Sequence, residues 1–478
     1  MRILLASSEV HPYSKTGGLG DAVAALGGAL AHAGHDVDIM TPLYRGIREK
    51  YPRITPVDWV FDIPMGADRI TGNLFALKVS KNLTVYFVDK PEYFDRSGIY
   101  NENNYDYSDN AERFIFFSKC IVSFARHFSV NPEVLHLNDW PVAVAALLAK
   151  NQITDRNKTI VQPKICFTIH NLAYQGVFPS NAFQLLNLPP TMFNMETIEY
   201  YGQINCLKAG LACADSITTV SPRYAREITT QEYGCGLDGL LRKRERNLTG
   251  ILNGVDYSEW NTEKNPFLVA SYSTRDMTGK NVCKQALQKR FSLEADLNVP
   301  LFGIVTRLAD QKGIDLLVES LQEALDWPMN FVLLGSGSKQ YEQALNKIAQ
   351  KHSGKVGLFF GYDHQLAHQV ESGCDFFLMP SRFEPCGLNQ LYSLRYGTIP
   401  IVRRTGGLDD SVIDATDDEH LANGIKFNDL SPNSLTKAIK KALILFDNKL
   451  LLRKYQTNGM LADFSWQKAV KVYELIYR

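Results

Sequence analysis

Short apolar runs alternate with longer stretches in which apolar residues recur at helical spacing, and the rhythm persists along the whole chain. In the first half Ile3–Ser7, Val37–Met40, Val85–Val88, Val134–Leu137, Ile165–Ile169 and Ser216–Val220 read as strands. Asp21–Ala33, Asn110–Phe128, Val142–Lys150 and Gly202–Ala214 read as helices between them. The second half repeats the pattern, with Leu301–Val305, Phe331–Leu334, Val356–Phe360, Phe376–Met379 and Ile399–Val402 as strands. Its helices are Ile314–Leu325, Tyr341–Lys351 and Leu388–Arg395. Strand–helix alternation builds parallel sheets covered on both faces. Two such series predict an α/β protein of two doubly wound, Rossmann-like domains.

The charge run Leu241-Arg242-Lys243-Arg244-Glu245-Arg246, followed by the turn signal in Leu252-Asn253-Gly254-Val255-Asp256, places the division near residue 250. The expected domains are therefore 1–250 and 251–455. The amphipathic stretch Trp466–Tyr477 has no place in the second sheet, so residues 456–478 are expected to return to the first domain.

Composition narrows the class. At 478 residues the chain exceeds what one hydrophobic core usually serves. A 45% hydrophobic and 21% charged composition is that of a soluble globular protein. Lys plus Arg equals Asp plus Glu at 51 each, which disfavours a nucleic-acid partner. The eight cysteines form no C-x-x-C pair, as expected for reduced thiols in the cytoplasm. Ile3-Leu4-Leu5-Ala6 is too short for a signal-peptide core, and no apolar run approaches the roughly 18 residues of a membrane helix.

One phrase occurs twice: Lys15-Thr16-Gly17-Gly18-Leu19-Gly20-Asp21 and Arg404-Thr405-Gly406-Gly407-Leu408-Asp409-Asp410. Paired glycines let backbone N–H groups approach a ligand, and a flanking cation suits an anion. Two copies predict that each domain offers a glycine turn to a shared central cleft. Ligands of open parallel sheets bind beyond the carboxyl ends of the strands, and polar residues follow several strands directly. Asn138-Asp139-Trp140, His170-Asn171, Thr306-Arg307 with Lys312, and Arg382-Phe383-Glu384 all do so.

Each has a bland alternative. Arg307 and Lys312, in one loop before a helix, form either a metal-free diphosphate site or a pair of solvated charges. Glu384 either accepts from sugar hydroxyls or caps the next helix. His170 is structural or catalytic, and Asp139 is an acid or an orienting cap. Cys386 reads as packing. The stretch Tyr93 to Tyr107 either stacks on sugars or is an irregular loop. Aspartates at Asp36-Val37-Asp38 and Asp417-Asp418-Glu419 do not make a convincing ligand set, so no metal and no cofactor is expected.

On these residues the chain resembles bacterial glycogen synthases and the related plant starch synthases over nearly its whole length. The markers are the first glycine phrase, Asn138-Asp139-Trp140, His170-Asn171-Leu172-Ala173-Tyr174-Gln175-Gly176, and Leu252-Asn253-Gly254-Val255-Asp256. Arg307 with Gln311-Lys312-Gly313, Ser381-Arg382-Phe383-Glu384-Pro385-Cys386-Gly387-Leu388, and Arg404-Thr405-Gly406-Gly407-Leu408 complete the set. The resemblance implies the GT-B glycosyltransferase fold and retaining transfer of glucose from ADP-glucose to the non-reducing end of an α-1,4-glucan. It implies that Arg307 and Lys312 neutralise the departing diphosphate, and that Glu384 with the Cys386-Gly387-Leu388 backbone holds the glucose. Lys15, Gly17, Gly18, Asp21 and Thr405 fall on the donor side, with His170 and Asn253 at the glucose 6-hydroxyl and His170 also near the reacting centre. Gly361 and Tyr362 match a base contact, and Tyr100, Asp139 and Asn171 match the acceptor side, Asp139 also facing the glucose.

Three departures stand out: Asn138 where the family often has His, Tyr392 where related transferases have a second glutamate, and Asn389 in place of Thr. Two rival readings remain, a glycoside hydrolase on the same glucan and a non-catalytic nucleotide-sugar sensor. A hydrolase needs a carboxylate pair and has little use for Arg307 and Lys312. A Rossmann dehydrogenase is weaker still, since neither glycine turn spells G-x-G-x-x-G.

Overall fold

The computed structural model describes every residue except 103–104, 127–129 and 152–161. Phe128, at the end of one expected helix, and part of the Tyr93–Tyr107 stretch lie outside the described residues. The chain divides into two compact units. The first contains Met1–Val220, Ala225–Gly254 and Trp466–Arg478; the second contains Ser221–Tyr224 and Val255–Ser465. The helix Lys449–Leu461 thus lies wholly in the second unit, and the first takes the chain back only from Trp466.

The first unit is built on a nine-stranded sheet. In chain order its strands are β1 (Arg2–Ala6), β2 (Asp36–Pro42), β3 (Thr55–Met65), β4 (Asp68–Ser80), β5 (Leu83–Asp89), β6 (Val134–Asn138), β7 (Lys164–Ile169), β8 (Ser216–Thr219) and β9 (Leu248–Gly250). They lie in the order β9-β8-β7-β6-β1-β2-β5-β4-β3. All pairs from β9 to β5 are parallel. The hairpin β3–β4 adds an antiparallel edge. Its outer strand carries Pro56 and Pro64, which hide it from a sequence reading, because proline is tolerated only where a strand's N–H faces outward.

Two other expectations change. Gly202–Ala214 is helical only over Cys206–Cys213, because Gln203–Asn205 forms a short strand and the Asn205 side chain caps the helix by accepting from Lys208 N. The charge run at 241–246 is not a linker. Arg244 donates to Leu211 O, Ala212 O and Ala214 O at 3.0, 2.7 and 2.6 Å, satisfying the last carbonyls of that same helix.

The terminal helix Trp466–Tyr477 belongs to the first unit through a buried polar chain. The Tyr477 hydroxyl lies 2.7 Å from His136 Nδ1, His136 Nε2 lies 2.6 Å from Thr168 Oγ1, and Thr168 meets Thr218 at 2.5 Å. Glu474 also meets His35 at 2.8 Å. Burial pushes the His136 imidazole down to about 3, so it serves as a neutral hydrogen-bonding strut.

The second unit has a six-stranded parallel sheet. Its strands are β10 (Leu301–Leu308), β11 (Asn330–Gly337), β12 (Val356–Phe360), β13 (Phe376–Met379), β14 (Ile399–Arg403) and β15 (Ile425–Phe427), in the order β12-β11-β10-β13-β14-β15. Alternate residues of single strands enter opposite cores. Phe302, Ile304, Phe331, Leu333, Phe376 and Leu378 pack on one face, and Leu301, Val332, Leu334, Phe377 and Met379 on the other. A strand buried on both faces needs an unbroken apolar run, which is why these strands are legible in the sequence. The order reverses between β10 and β13, and these two strands pair only over Phe302↔Phe376 and Gly303↔Phe377. Beyond that they separate, leaving a crevice at their carboxyl ends.

Candidate active site

Of the second unit's expected residues, the β10–β13 crevice brings Lys312 and Glu384 together. After β10 the chain makes a tight turn over Asp310–Lys312, closed by Gly313 at φ +66°. A Cβ on Gly313 would stand 2.1 Å from Pro380 O, so only glycine lets the β10 and β13 loops lie this close. The approach sets Lys312 Nζ 2.6 Å from Glu384 Oε2, and Ser381 Oγ donates to the same oxygen at 3.0 Å. The Glu384 side chain is 8% exposed and that of Lys312 19%, so water screens the pair weakly. Arg307 is exposed at the end of β10, opposite Ser336 of β11.

Asn389 has a structural use. Its Nδ2 donates to Val305 O at 2.6 Å, filling a ladder position left open where β10 and β13 separate. Gln390, which sequence reasoning missed, is fully buried and donates to Cys386 O at 3.0 Å, Gly387 O at 2.9 Å and Ser411 Oγ at 3.1 Å. It thereby shapes the Cys386-Gly387-Leu388 turn, in which Gly387 has φ +71°. Cys386 is buried, in keeping with packing. Tyr362 follows Gly361 beyond the edge strand β12 and is exposed.

The two glycine phrases differ in use. A Cβ on Gly17 would meet nothing within 4 Å, so that turn faces open space. Cβ atoms on Gly406 and Gly407 would stand 2.0 Å from Glu384 O and Cys386 O. The second pair exists so that its segment can pack on the Glu384–Cys386 backbone, contrary to the expectation that both turns open toward a ligand. Thr405, at the head of this turn, is fully buried. Both flanking cations are also occupied. Lys15 pairs with Asp21 at 2.7 Å, and Arg404 pairs with Asp417 at 2.8 Å. Asp417 also meets Lys426, and its carboxyl is pushed down to about 2 through these partners, so it is no idle solvated loop residue.

In the first unit, residues following β1, β6 and β7 converge. Asn138 Nδ2 donates to Ala6 O at 3.2 Å, which turns its Oδ1 toward His170 Nε2 at 3.0 Å. The acceptor at Asn138 puts the imidazole proton on Nε2 and leaves Nδ1 able to accept. Burial pushes His170 down to about 3, so the ring is neutral. Asp139 adopts φ +60° and accepts from His170 N at 2.7 Å. Burial raises its carboxyl to about 7, against the opposing pull of the His170 and Asn171 amides. Asn171 spends its own Oδ1 on Ala173 N at 3.1 Å, a local turn bond.

Glu9, three residues past the end of β1, was not anticipated. It is 2% exposed and accepts from Thr16 Oγ1 at 2.8 Å and from the Tyr100 hydroxyl at 2.7 Å. It also takes the Thr16 N–H, tying the Lys15-Thr16-Gly17 loop and Tyr100 to the end of β1. Asn253 is buried and precedes Gly254, where a Cβ would strike Trp466 at 2.6 Å. No helix among the described residues is long and apolar enough to cross a membrane.

Two doubly wound α/β units, the second carrying a lysine-clamped carboxylate at its strand-order reversal, define a GT-B glycosyltransferase. Known proteins agree. Residues 2–243 match the starch synthase catalytic domain family, and residues 286–458 match glycosyl transferases group 1. The chain is 44% identical over 480 residues to a glycogen synthase of Anaeromyxobacter dehalogenans, covering 100% of this chain and 99% of that one. It is 42% identical over 479 residues to a glycogen synthase of Opitutus terrae, with the same coverage. The solved catalytic domain of starch synthase IV from Arabidopsis thaliana, bound to ADP and acarbose, superposes with a TM-score of 0.90 at 33% identity, covering 99% of this chain and 98% of that one. A sucrose-phosphate synthase from Thermosynechococcus elongatus shares the fold alone, at a TM-score of 0.60 and 18% identity over 99% of this chain and 97% of that one. The chain belongs to the glycogen and starch synthase family, and it is a glycosyltransferase.

Proposed function

We propose that this protein transfers glucose from ADP-glucose to the non-reducing end of an α-1,4-glucan, with retention and without a metal ion in the chemistry. The observation that carries the reading is the Lys312–Glu384 pair at 2.6 Å, held at the one place in the second sheet where strand order reverses. Breaking a glycosyl–phosphate bond builds negative charge on the departing diphosphate and positive charge on the sugar. Lys312, held in advance by Glu384, and the exposed Arg307 are the cations that meet the first. Glu384 orients Lys312 and accepts from glucose hydroxyls. In the first unit His170, neutral with its proton on Nε2, is a hydrogen-bonding group and not a cation. Retention follows from attack on the face the diphosphate leaves, with the leaving phosphate helping to deprotonate the acceptor. The Arabidopsis relative bound to ADP supports an adenine nucleotide donor. Eight cysteines, none of them in a disulfide, fit a reducing, cytoplasmic setting.

The test supplies labelled ADP-glucose and UDP-glucose in parallel with glycogen and measures label in polymer. Incorporation from ADP-glucose is expected. Free sugar released from glycogen without donor would make the protein a hydrolase, and donor binding without incorporation would make it a sensor.

A further inference from the structure

At the start of the second unit Asp256 Oδ1 accepts from Ser258 N and Oγ at 2.8 and 2.6 Å, a turn that delivers Glu259 and Trp260. Trp260 is sandwiched between two rings. Tyr392 stacks on it at 3.6 Å with the planes 1° apart, and His368 stacks at 4.0 Å and 20°. His368 lies on the helix His364–Gly373, whose start is fixed by Asp363 accepting from Leu366 N at 2.8 Å. His364 and His368 are four residues apart on this helix and so share a face.

His368 is fully buried. Its Nδ1 is 2.8 Å from the Tyr396 hydroxyl and 3.2 Å from Asn265 Nδ2, while its Nε2 has no hydrogen-bond partner. That nitrogen points at Glu259 Oε1, 4.0 Å away, and the same oxygen is 3.3 Å from His364 Nε2. One donor atom from each residue falls within 4.8 Å of the others. A surface ion pair between Glu259 and His364 accounts for the 3.3 Å contact. It leaves unexplained a buried ring nitrogen, locked by stacking and a tyrosine, aimed without a partner at the same carboxylate.

We propose that Glu259, His364 and His368 form a zinc site, with water as the fourth ligand. Ligand atoms about 2.0–2.1 Å from a tetrahedral ion stand about 3.4 Å apart, close to the 3.3 and 4.0 Å spacings here. Glu259 and His364 are partly exposed, with His364 Nδ1 lying 3.4 Å from the Tyr362 hydroxyl, whereas His368 is buried. Two imidazoles and one carboxylate suit zinc and not magnesium or calcium, which take oxygen ligands. With zinc on Nε2 the proton of His368 would sit on Nδ1 and donate to the Tyr396 hydroxyl, 2.8 Å away. None of the three ligands belongs to the residues assigned to donor or acceptor. The ion would pin the Val255–Trp260 segment to the His364–Gly373 helix.

The test titrates the chelator-treated full chain with zinc chloride by calorimetry, alongside Glu259→Gln and His364→Ala, partly exposed positions whose variants keep the buried His368 intact. One ion per wild-type chain is expected, with affinity lowered about tenfold or more in each variant. Zinc should raise the wild-type melting temperature and lose that effect in His364→Ala. Cobalt should quench Trp260 fluorescence in the wild type only. Absence of saturable binding overturns the site. So does unchanged affinity in both variants, which would put the ion on the thiols.

Discussion

Lys312 Nζ and Glu384 Oε2 lie 2.6 Å apart, joining the loops after two strands that have already separated. Neither side chain is aligned by its own strand alone. Lys312→Ala should lower kcat by about a hundredfold, roughly 3 kcal/mol of transition-state stabilisation. Glucan binding should be little changed. Steady-state rates on the purified variant, with circular dichroism to verify folding, decide it; wild-type turnover would remove Lys312 from the reaction.

The glycine phrases should separate under one substitution. Gly406→Ala places a Cβ 2.0 Å from Glu384 O at a residue with φ +43°. It should cost about 1–3 kcal/mol of stability and displace Glu384. Gly17→Ala meets open space and should melt like the wild type, raising only a substrate KM. Equal melting temperatures for the two variants would contradict the distinction.

Asn138 sets the His170 tautomer by holding Ala6 O with its amide nitrogen. Asn138→Ala frees the ring, and the rate should fall about tenfold. Asn138→Asp presents acceptors only and should favour a protonated ring, raising its NMR-detected titration above that of the wild type. An unmoved titration would mean that Asn138 does not govern the ring.

His136 makes a pH prediction with a definite sign. Its folded form titrates at about 3, below the ordinary value of 6.5. As pH falls below 6.5 the unfolded chain takes up a proton that the folded chain refuses, so stability drops in that direction. By pH 5 the loss from this residue is roughly 2 kcal/mol. Denaturant unfolding at pH 7 and pH 5 should show it, and His136→Asn should reduce the difference while the similarly lowered His170 keeps its own share. A variant with the wild-type slope would assign the acid sensitivity elsewhere.

The sequence determined the two parallel sheets, because Phe302-Gly303-Ile304 or Phe376-Phe377-Leu378 must be apolar on both faces to be covered on both. It also placed Asp139, His170, Lys312 and Glu384 beyond strand ends, since that position depends only on local order along the chain, whereas Arg307, expected after the strand, lies within β10, which runs on to Leu308. Tertiary structure decided what those residues touch. The partners Lys312–Glu384, Asn138–Ala6 and Tyr477–His136 are 72, 132 and 341 residues apart. No local pattern encodes such pairs; they follow from strand order and loop approach. The same reason made Gly17-Gly18 and Gly406-Gly407 look alike, although a glycine needed for open space and one needed for a neighbouring carbonyl are spelled identically.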